Sequence, residues 1–243
     1  MEHEHTKHKK QYQLEIITIS LIAVVAVLIL FNQWQINTIS GSIYGLSGIG
    51  GRISVGGKDV SNIDLSQLKS TGHSVAAMFP VENIKTAQDA VNVMIPTGIP
   101  DYGNALGISY DDPLKALSVL SGQVYPYMLS EIKKDQATYQ RYLNLVLKPV
   151  GISCEYCCGV GPIGASKDGS SACGCQHNPA LLGLTMWLMK NTDYTDAEVL
   201  REALRWKALF FPKNMVELAL SVAGGDTSKL NDLPGMVGGC YNE

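Results

Sequence analysis

The amino-acid sequence predicts a mostly α fold: an N-terminal transmembrane helix followed by a helical extracytoplasmic domain with a Cys-rich loop. Three observations support this prediction. An apolar run occupies residues 14–31, helical patterns recur through most of residues 63–222, and five of the six cysteines lie within 22 residues. The formal net charge of the 243 residues is −3, and Lys and Arg are not clustered. We therefore expect no nucleic-acid binding, which needs grouped positive charge.

The N-terminal segment is predicted to anchor the protein in the cell membrane. Residues 1–13 form a polar tail, and residues 14–34 form the signal-anchor. Its 18-residue apolar run would be ~27 Å long as a helix, enough to cross the core of a bilayer. No small-residue cleavage site follows it. Lysines precede the span and the next positive charge is Arg52, so the positive-inside rule places the rest of the chain outside the cytoplasm.

The next two regions differ in composition. Residues 35–62 are rich in glycine and are expected to form a flexible stalk. Residues 63–150 carry mainly helical signals. This helical region starts with a short helix at Asp64 and with the apolar segment His73–Phe79, which we interpret as a strand. It is expected to form one domain with residues 151–243.

Caps and apolar periodicity predict the helices of this region. Thr86 is expected to cap a helix over Ala87–Met94. A cap at Asp112 with a first-turn proline predicts a helix over residues 113–121. Apolar residues at helical spacing predict one long helix over residues 126–147.

Three aspartates and two tyrosines lie between Asp101 and Asp112. Carboxylates this close together can bind a cation or act as acid and base. Aspartate is also a preferred residue of turns and helix caps. We interpret these aspartates as structural.

The Cys-rich loop consists of two halves, CEYCC at residues 154–158 and CGCQH at residues 173–177. If the second half is extended, its first, third and fifth side chains point the same way and present two sulfurs and an imidazole. Asn178-Pro179 then predicts the cap and first turn of a helix over residues 179–190. The positive end of that helix would favour a thiolate.

We expect the loop to bind a soft metal, because thiolate and imidazole ligands select copper or zinc over magnesium or calcium. The predicted metal ligands are Cys154, Cys157, Cys158, Cys173, Cys175 and His177. An even number of cysteines in an exported domain is also typical of disulfides. Cys240 could then tie the C-terminal tail to the loop, and one disulfide beside one metal is a third arrangement.

Two more helices are predicted after the helix over residues 179–190. A capping box at Thr195 predicts a helix over residues 196–209, which ends at Phe210-Phe211-Pro212. The last helix is predicted over residues 214–222. The tryptophans and phenylalanines of these helices are expected in the core.

Residues 151–213, about a quarter of the chain, resemble exported bacterial proteins with a Cys-Tyr-Cys-Gly-Cys-type motif. Cys173-Gly174-Cys175 and the segment from Thr195 to Pro212 carry the similarity. The block is also similar to cytochrome c maturation thiol proteins, in which C-x-x-C precedes a helical hairpin. Both resemblances imply an exported thiol or metal-binding module. The start of the apolar helix, with Glu15, resembles a type IV pilin.

The sequence thus predicts a membrane-anchored extracytoplasmic protein that binds copper or zinc and acts as a carrier, an assembly factor or a complex subunit. Its expected partners are the membrane, through residues 14–34, and a membrane protein or a second copy of the chain. A binding role is favoured over catalysis, because neither a Ser/His/Asp set nor a phosphate-binding loop is evident. A thiol–disulfide redox protein and a disulfide-stapled structural subunit are the two alternatives.

Overall fold

The computed structural model describes residues 58–225 and Val237, so the predicted tail and signal-anchor lie outside the described residues. Within the described part no helix is long and apolar enough to cross a membrane. The regular elements of this part are helical, and pairing of extended backbone is limited to isolated bridges, Ile152–Ile163 and Ala165–Ser171. The mostly α prediction is confirmed for these residues.

The longer helices are labelled in chain order. They are α1 (Thr71–Met78), α2 (Ala87–Met94), α3 (Pro113–Val119), α4 (Tyr125–Ile132), α5 (Gln136–Val146), α6 (His177–Asn191), α7 (Asp196–Phe210) and α8 (Pro212–Ala223). Shorter segments are the 3-10 turns Leu65–Gln67 and Val81–Asn83, the single turns Gly103–Leu106 and Glu155–Cys158, and the π-helical segment Leu120–Val124.

Helix α6 is the centre of the fold, because most of its side chains are buried around its whole circumference. A helix that is apolar all round needs neighbours on every side. The π-helical segment, α3, α4, α5 and α7 supply them, while α8 joins α1 and α2 to α7. Trp206, Phe210 and Phe211 are buried as predicted, and Trp187 is half-buried. The cysteine loop leads directly into the first turn of α6, so the loop is attached to the central helix of the fold.

Three helix caps confirm the predictions that rested on them. The Thr86 hydroxyl accepts a hydrogen bond from the N–H of Asp89, and the Asp89 carboxylate accepts one from the N–H of Thr86. Thr195 and Glu198 form the same capping box at α7. Asp112 caps α3 through the N–H of Lys115. Helix α2 has the predicted bounds, and α7 ends one residue later than predicted.

The predicted strand His73–Phe79 is wrong, because these residues belong to α1 and its C-terminal end. The Ser70 hydroxyl accepts a hydrogen bond from the N–H of His73 at 3.1 Å and caps the helix. A short apolar run without strict alternation does not distinguish a strand from a buried helix, and the serine before it was the signal for a helix.

The single long helix predicted over residues 126–147 is also wrong, because it is divided into α4 and α5. Asp135 caps α5 by accepting hydrogen bonds from the N–H groups of Ala137 and Thr138. An aspartate side chain competes with the helical backbone for these donors, and here it ends one helix and starts another. The apolar periodicity continued across the break and concealed it.

The folded part begins before the predicted end of the stalk at residue 62. Val60 is buried, and the carbonyl of Lys58 accepts a hydrogen bond from Arg201 Nη1 at 2.8 Å. Residues 58–62 therefore belong to the same compact unit as the helices.

Glycine is needed at position 183, because α6 there lies against the backbone of Leu120 and Tyr125. A Cβ at this position would lie 2.9 Å from the N and Cα atoms of Tyr125 and 3.0 Å from the Leu120 carbonyl oxygen. We expect Gly183→Ala to lower the free energy of unfolding by about 1–3 kcal/mol through overpacking. Gly122→Ala is the matched control, since its Cβ would meet nothing within 4 Å. Urea unfolding of both variants tests this, and equal losses would contradict the close-contact explanation.

Candidate metal centre

Four of the six predicted ligands converge. The Sγ atoms of Cys154, Cys158, Cys173 and Cys175 all lie within 4.8 Å of one another, and all four are free thiols. The turn Glu155–Cys158 places the first two sulfurs on one face, because residues four apart in a helix are neighbours. Cys154 is buried, Cys173 and Cys175 are half-buried, and Cys158 is exposed. The cluster is therefore set into the surface with one ligand on the solvent side.

Asn178 connects the two halves of the loop to α6. Its Oδ1 accepts a hydrogen bond from the N–H of Cys154 at 3.2 Å. Its Nδ2 donates to the Gly164 carbonyl at 2.6 Å and to the Ser171 hydroxyl at 2.7 Å. A Cβ on Gly164 would lie 2.4 Å from Asn178 Oδ1, so this close approach requires glycine. The prediction that Asn178 caps the helix is wrong: α6 starts at His177, and the amide is used by the loop.

A buried ion pair holds the turn Glu155–Cys158 against α7. Lys207 of α7 is fully buried and donates to Glu155 Oε1 at 2.6 Å and to the Gly151 carbonyl at 2.9 Å. Thr71 Oγ1 donates to the same Glu155 oxygen at 2.6 Å. Burial lowers the pKa of Lys207 and the Glu155 carboxylate opposes that shift. The pair holds the first half of the loop against the helical core.

His177 lies beside the four-thiol cluster rather than in it. Its ring is buried and packs against Phe210 and Phe211, with ring centroids 5.6 and 4.9 Å away. Its Nε2 lies 2.7 Å from the carbonyl oxygen of Val237, and because a carbonyl only accepts, this nitrogen carries a proton. The predicted arrangement of three ligands on one side of an extended segment is not what forms, since His177 already belongs to the first turn of α6.

Cys157 has a different role from the other four described cysteines. It belongs to a second group in which its sulfur, the Cys175 sulfur and a His177 ring nitrogen lie within 4.8 Å of one another. It is disulfide-bonded, and its partner is none of the four free thiols. The sulfur of Cys158 lies 3.5 Å from that of Cys157. The residues of the first half that belong to the four-thiol cluster are therefore Cys154 and Cys158.

The thiols share protons unequally. The pKa of Cys175 is lowered to about 3, chiefly by the hydrogen bond from the Cys154 thiol and also by the N–H of Asn178 at the start of α6, while burial opposes the shift. The Cys175 contact raises the pKa of Cys154, and Cys173 is the largest cause that raises the pKa of Cys158 to about 12. A thiolate surrounded by thiols is an arrangement in which a metal cation can replace protons.

Two of the aspartates of residues 101–112 have structural contacts: Asp112 caps α3, and the Asp111 carboxylate accepts a hydrogen bond from the N–H of Gly98. Among the described residues, the groups that could hold a metal contain cysteine and histidine, and none contains these aspartates. The two tyrosines of this stretch, Tyr102 and Tyr110, instead donate hydrogen bonds to Glu202 of α7. These hydrogen bonds connect the stretch to α7.

Sequence reasoning missed the residues that support the cluster. Lys207 left a detectable signal, since it follows Ala203 and Leu204 on the buried face of α7, where a lysine requires a partner. Glu155 lies inside the cysteine motif, and its neighbours in sequence do not indicate a buried partner. Asn178 carried a pattern that equally indicates a helix cap, and that interpretation concealed its contacts.

Comparison of the chain with protein-family models, with curated proteins and with solved structures finds no match. The resemblances drawn from the cysteine motif therefore stay predictions, and the functional argument rests on the geometry of the cluster.

We expect Cys154→Ala to raise the pKa of Cys175 from about 3 toward ~8.5, the value of a free thiol, because the main donor to its thiolate is lost. The rate of Cys175 alkylation against pH in metal-free protein measures this. In the wild type the rate is flat between mildly acidic and neutral pH, and in the variant it falls as the pH falls. Cys158→Ala is the control and is expected to give a smaller shift. An unchanged profile in Cys154→Ala would contradict the thiol–thiolate pair.

We expect Lys207→Met to lower the free energy of unfolding by about 3 kcal/mol, because the Glu155 carboxylate loses its buried partner. Lys115→Met is the control, since Lys115 is exposed on α3. Urea unfolding gives both values, and a loss no larger than that of the control would show that the ion pair does not hold the loop.

Proposed function

We propose that the protein binds a soft metal, copper or zinc, through the thiolates of Cys154, Cys158, Cys173 and Cys175. One observation carries the proposal: four free sulfurs from two separate halves of a loop lie within 4.8 Å of one another. In a tetrahedral site with Zn–S bonds of ~2.3 Å, the sulfurs are roughly 3.8 Å apart. A small contraction of the cluster would therefore suffice to complete the coordination sphere.

The surroundings of the cluster support a bound cation and its thiolate ligands. Four soft donors favour Cu(I) or Zn(II) over hard cations. The N-terminus of α6 donates the N–H of Asn178 to Cys175, and the buried ammonium of Lys207 lies beneath the first half of the loop. These positive groups offset part of the negative charge that four thiolates bring to one metal ion.

The placement of the cluster favours a carrier or assembly role. The buried apolar core is built mainly from side chains of the helices, whereas small domains that fold only around their metal have little core of their own. The exposed Cys158 offers one ligand to solvent, through which an incoming ligand could reach the metal. We propose that residues 14–34 anchor this module in the cell membrane with its cluster outside the cytoplasm.

Thiol–disulfide exchange is the second candidate function. It is favoured by one observation, the 3.5 Å distance between the free Cys158 sulfur and the disulfide-bonded Cys157 sulfur. An exchanging thiol must be accessible and close to its target. This function predicts mixed disulfides with glutathione in protein that carries no metal.

The test is elemental analysis, with a free-thiol count, of the full chain purified without added metal. We expect about one copper or zinc per chain and four thiols that react only after chelation or denaturation. In Cys173→Ala/Cys175→Ala the metal is lost while the helical circular dichroism is kept. His177→Gln keeps the metal, because its imidazole is outside the four-thiol set.

Replacing His3, His5 and His8 by glutamine removes weak binding by the N-terminal tail and serves as the background control. The proposal fails if the double cysteine variant retains the wild-type metal content on this background. Absence of metal together with rapid glutathione exchange at Cys158 would instead establish the second candidate.

A further inference from the structure

His177 is a buried histidine with one ring nitrogen that the protein does not satisfy. The residue is 1% exposed, and its Nδ1 makes no hydrogen bond of normal geometry with the described residues. Burying a polar atom without a partner is costly, and such atoms are rare in folded proteins. The four-thiol site does not use this nitrogen either. A metal ion bound beside it would supply the missing partner.

The contacts of the ring orient Nδ1 as a metal ligand. Nε2 donates its proton to the Val237 carbonyl at 2.7 Å, so the lone pair of the neutral imidazole is on Nδ1. Histidines that bind metals commonly donate their other ring N–H to a carbonyl or carboxylate, which fixes the tautomer and the ring. Phe210 and Phe211 pack against the ring. The side chain therefore has the support of a ligand although it lies outside the four-thiol set.

Cys175 is the ligand of the proposed site that lies next to His177. Its sulfur lies within 4.8 Å of a His177 ring nitrogen. A sulfur and a nitrogen that bind the same zinc, at ~2.3 and ~2.0–2.1 Å, are roughly 3.6 Å apart, so a small movement at most would let both bind one ion. Cys157 shares this second group, but its sulfur is in a disulfide and offers no thiolate to a metal.

Cys158 is the ligand of the four-thiol site that is most easily replaced, because it is the exposed member of the set. Its sulfur and a His177 ring nitrogen both lie within 4.8 Å of the Cys175 sulfur. We infer that His177 is a reserve ligand, whose Nδ1 binds the metal when the Cys158 thiolate leaves it. The ion is then held by three thiolates and one imidazole.

The reserve ligand rests on the proposed function and describes how a carrier would exchange its metal. When Cys158 leaves as a thiolate, one metal–sulfur bond breaks, and the Nδ1 lone pair forms one metal–nitrogen bond. No electron is transferred. Because the imidazole is neutral, the ligands around the ion lose one negative charge. The exposed thiolate becomes available to a partner while the ion keeps four ligands.

X-ray absorption at the zinc edge tests the ligand directly. Cys158→Ala is loaded with zinc on the background in which the three N-terminal histidines are glutamine. We expect three sulfurs at ~2.3 Å and one nitrogen at ~2.0–2.1 Å, with the outer-shell scattering of an imidazole ring. Protein that retains Cys158 should show four sulfurs and no imidazole. His177 is unchanged in both samples, so the result does not depend on the folding of a His177 variant, and a Cys158→Ala spectrum without imidazole would overturn the inference.

Competition for zinc with a chelator tests the exchange of the two ligands. We expect His177→Gln to weaken zinc binding on the order of 10-fold when Cys158 is replaced by alanine, and much less when Cys158 is present, since residues that share one site are coupled. His73→Gln is the matched control, because this histidine is exposed, and it should have no effect on either background. Equal effects of His177→Gln on both backgrounds would overturn the inference.

The metal centre and the reserve ligand fail in different ways. If the wild type binds no metal, the metal centre is refuted and the reserve ligand with it. If the wild type binds zinc and Cys158→Ala shows no imidazole, the metal centre stands and the reserve ligand alone is refuted.

Discussion

The hydrogen bonds of one buried amide hold the cysteine loop together. Asn178, in the first turn of α6, binds the backbone of Cys154 on one side and both the Gly164 carbonyl and the Ser171 hydroxyl on the other. These contacts close the loop onto α6, most of whose side chains are buried. The four thiols therefore meet without a disulfide among them. Their positions follow from the helix that bears the amide.

The same arrangement places positive electrostatic potential next to the four thiols. The start of α6 contributes N–H groups that have no partner within the helix, and Lys207 contributes an ammonium that pairs with Glu155 and also interacts electrostatically with Cys154. Burying a lysine is costly without compensation. A lysine ammonium next to the thiol cluster is explained if the cysteines of the cluster are thiolates, and therefore negatively charged, in the functional protein.

Short-range signals were predictable from the sequence, and long-range ones were not. The caps at Thr86 and Thr195 and the clustering of cysteines depend on neighbouring residues, and the structure confirms the helices and the convergence they indicated. The support of the cluster depends on residues far apart, such as Lys207 and Glu155, which are 52 positions apart. No local pattern encodes such a pair. Asp135 shows the opposite error, in which a local cap interrupts a periodicity that continues across it.

The π-helical segment Leu120–Val124 leads directly into α4 and determines how α4 is rotated about its own axis. Such a segment holds one residue more than an α-helix of equal length, and removing that residue would turn α4 by ~100° about its axis. At its current phase, the Tyr125 hydroxyl accepts a hydrogen bond from the N–H of Ser171 at 2.7 Å. A single-residue deletion in this segment would thus keep the helix and disengage it from the cysteine loop. Length variation that most helices tolerate at their ends is therefore forbidden here by geometry, in a segment distant in sequence from every cysteine.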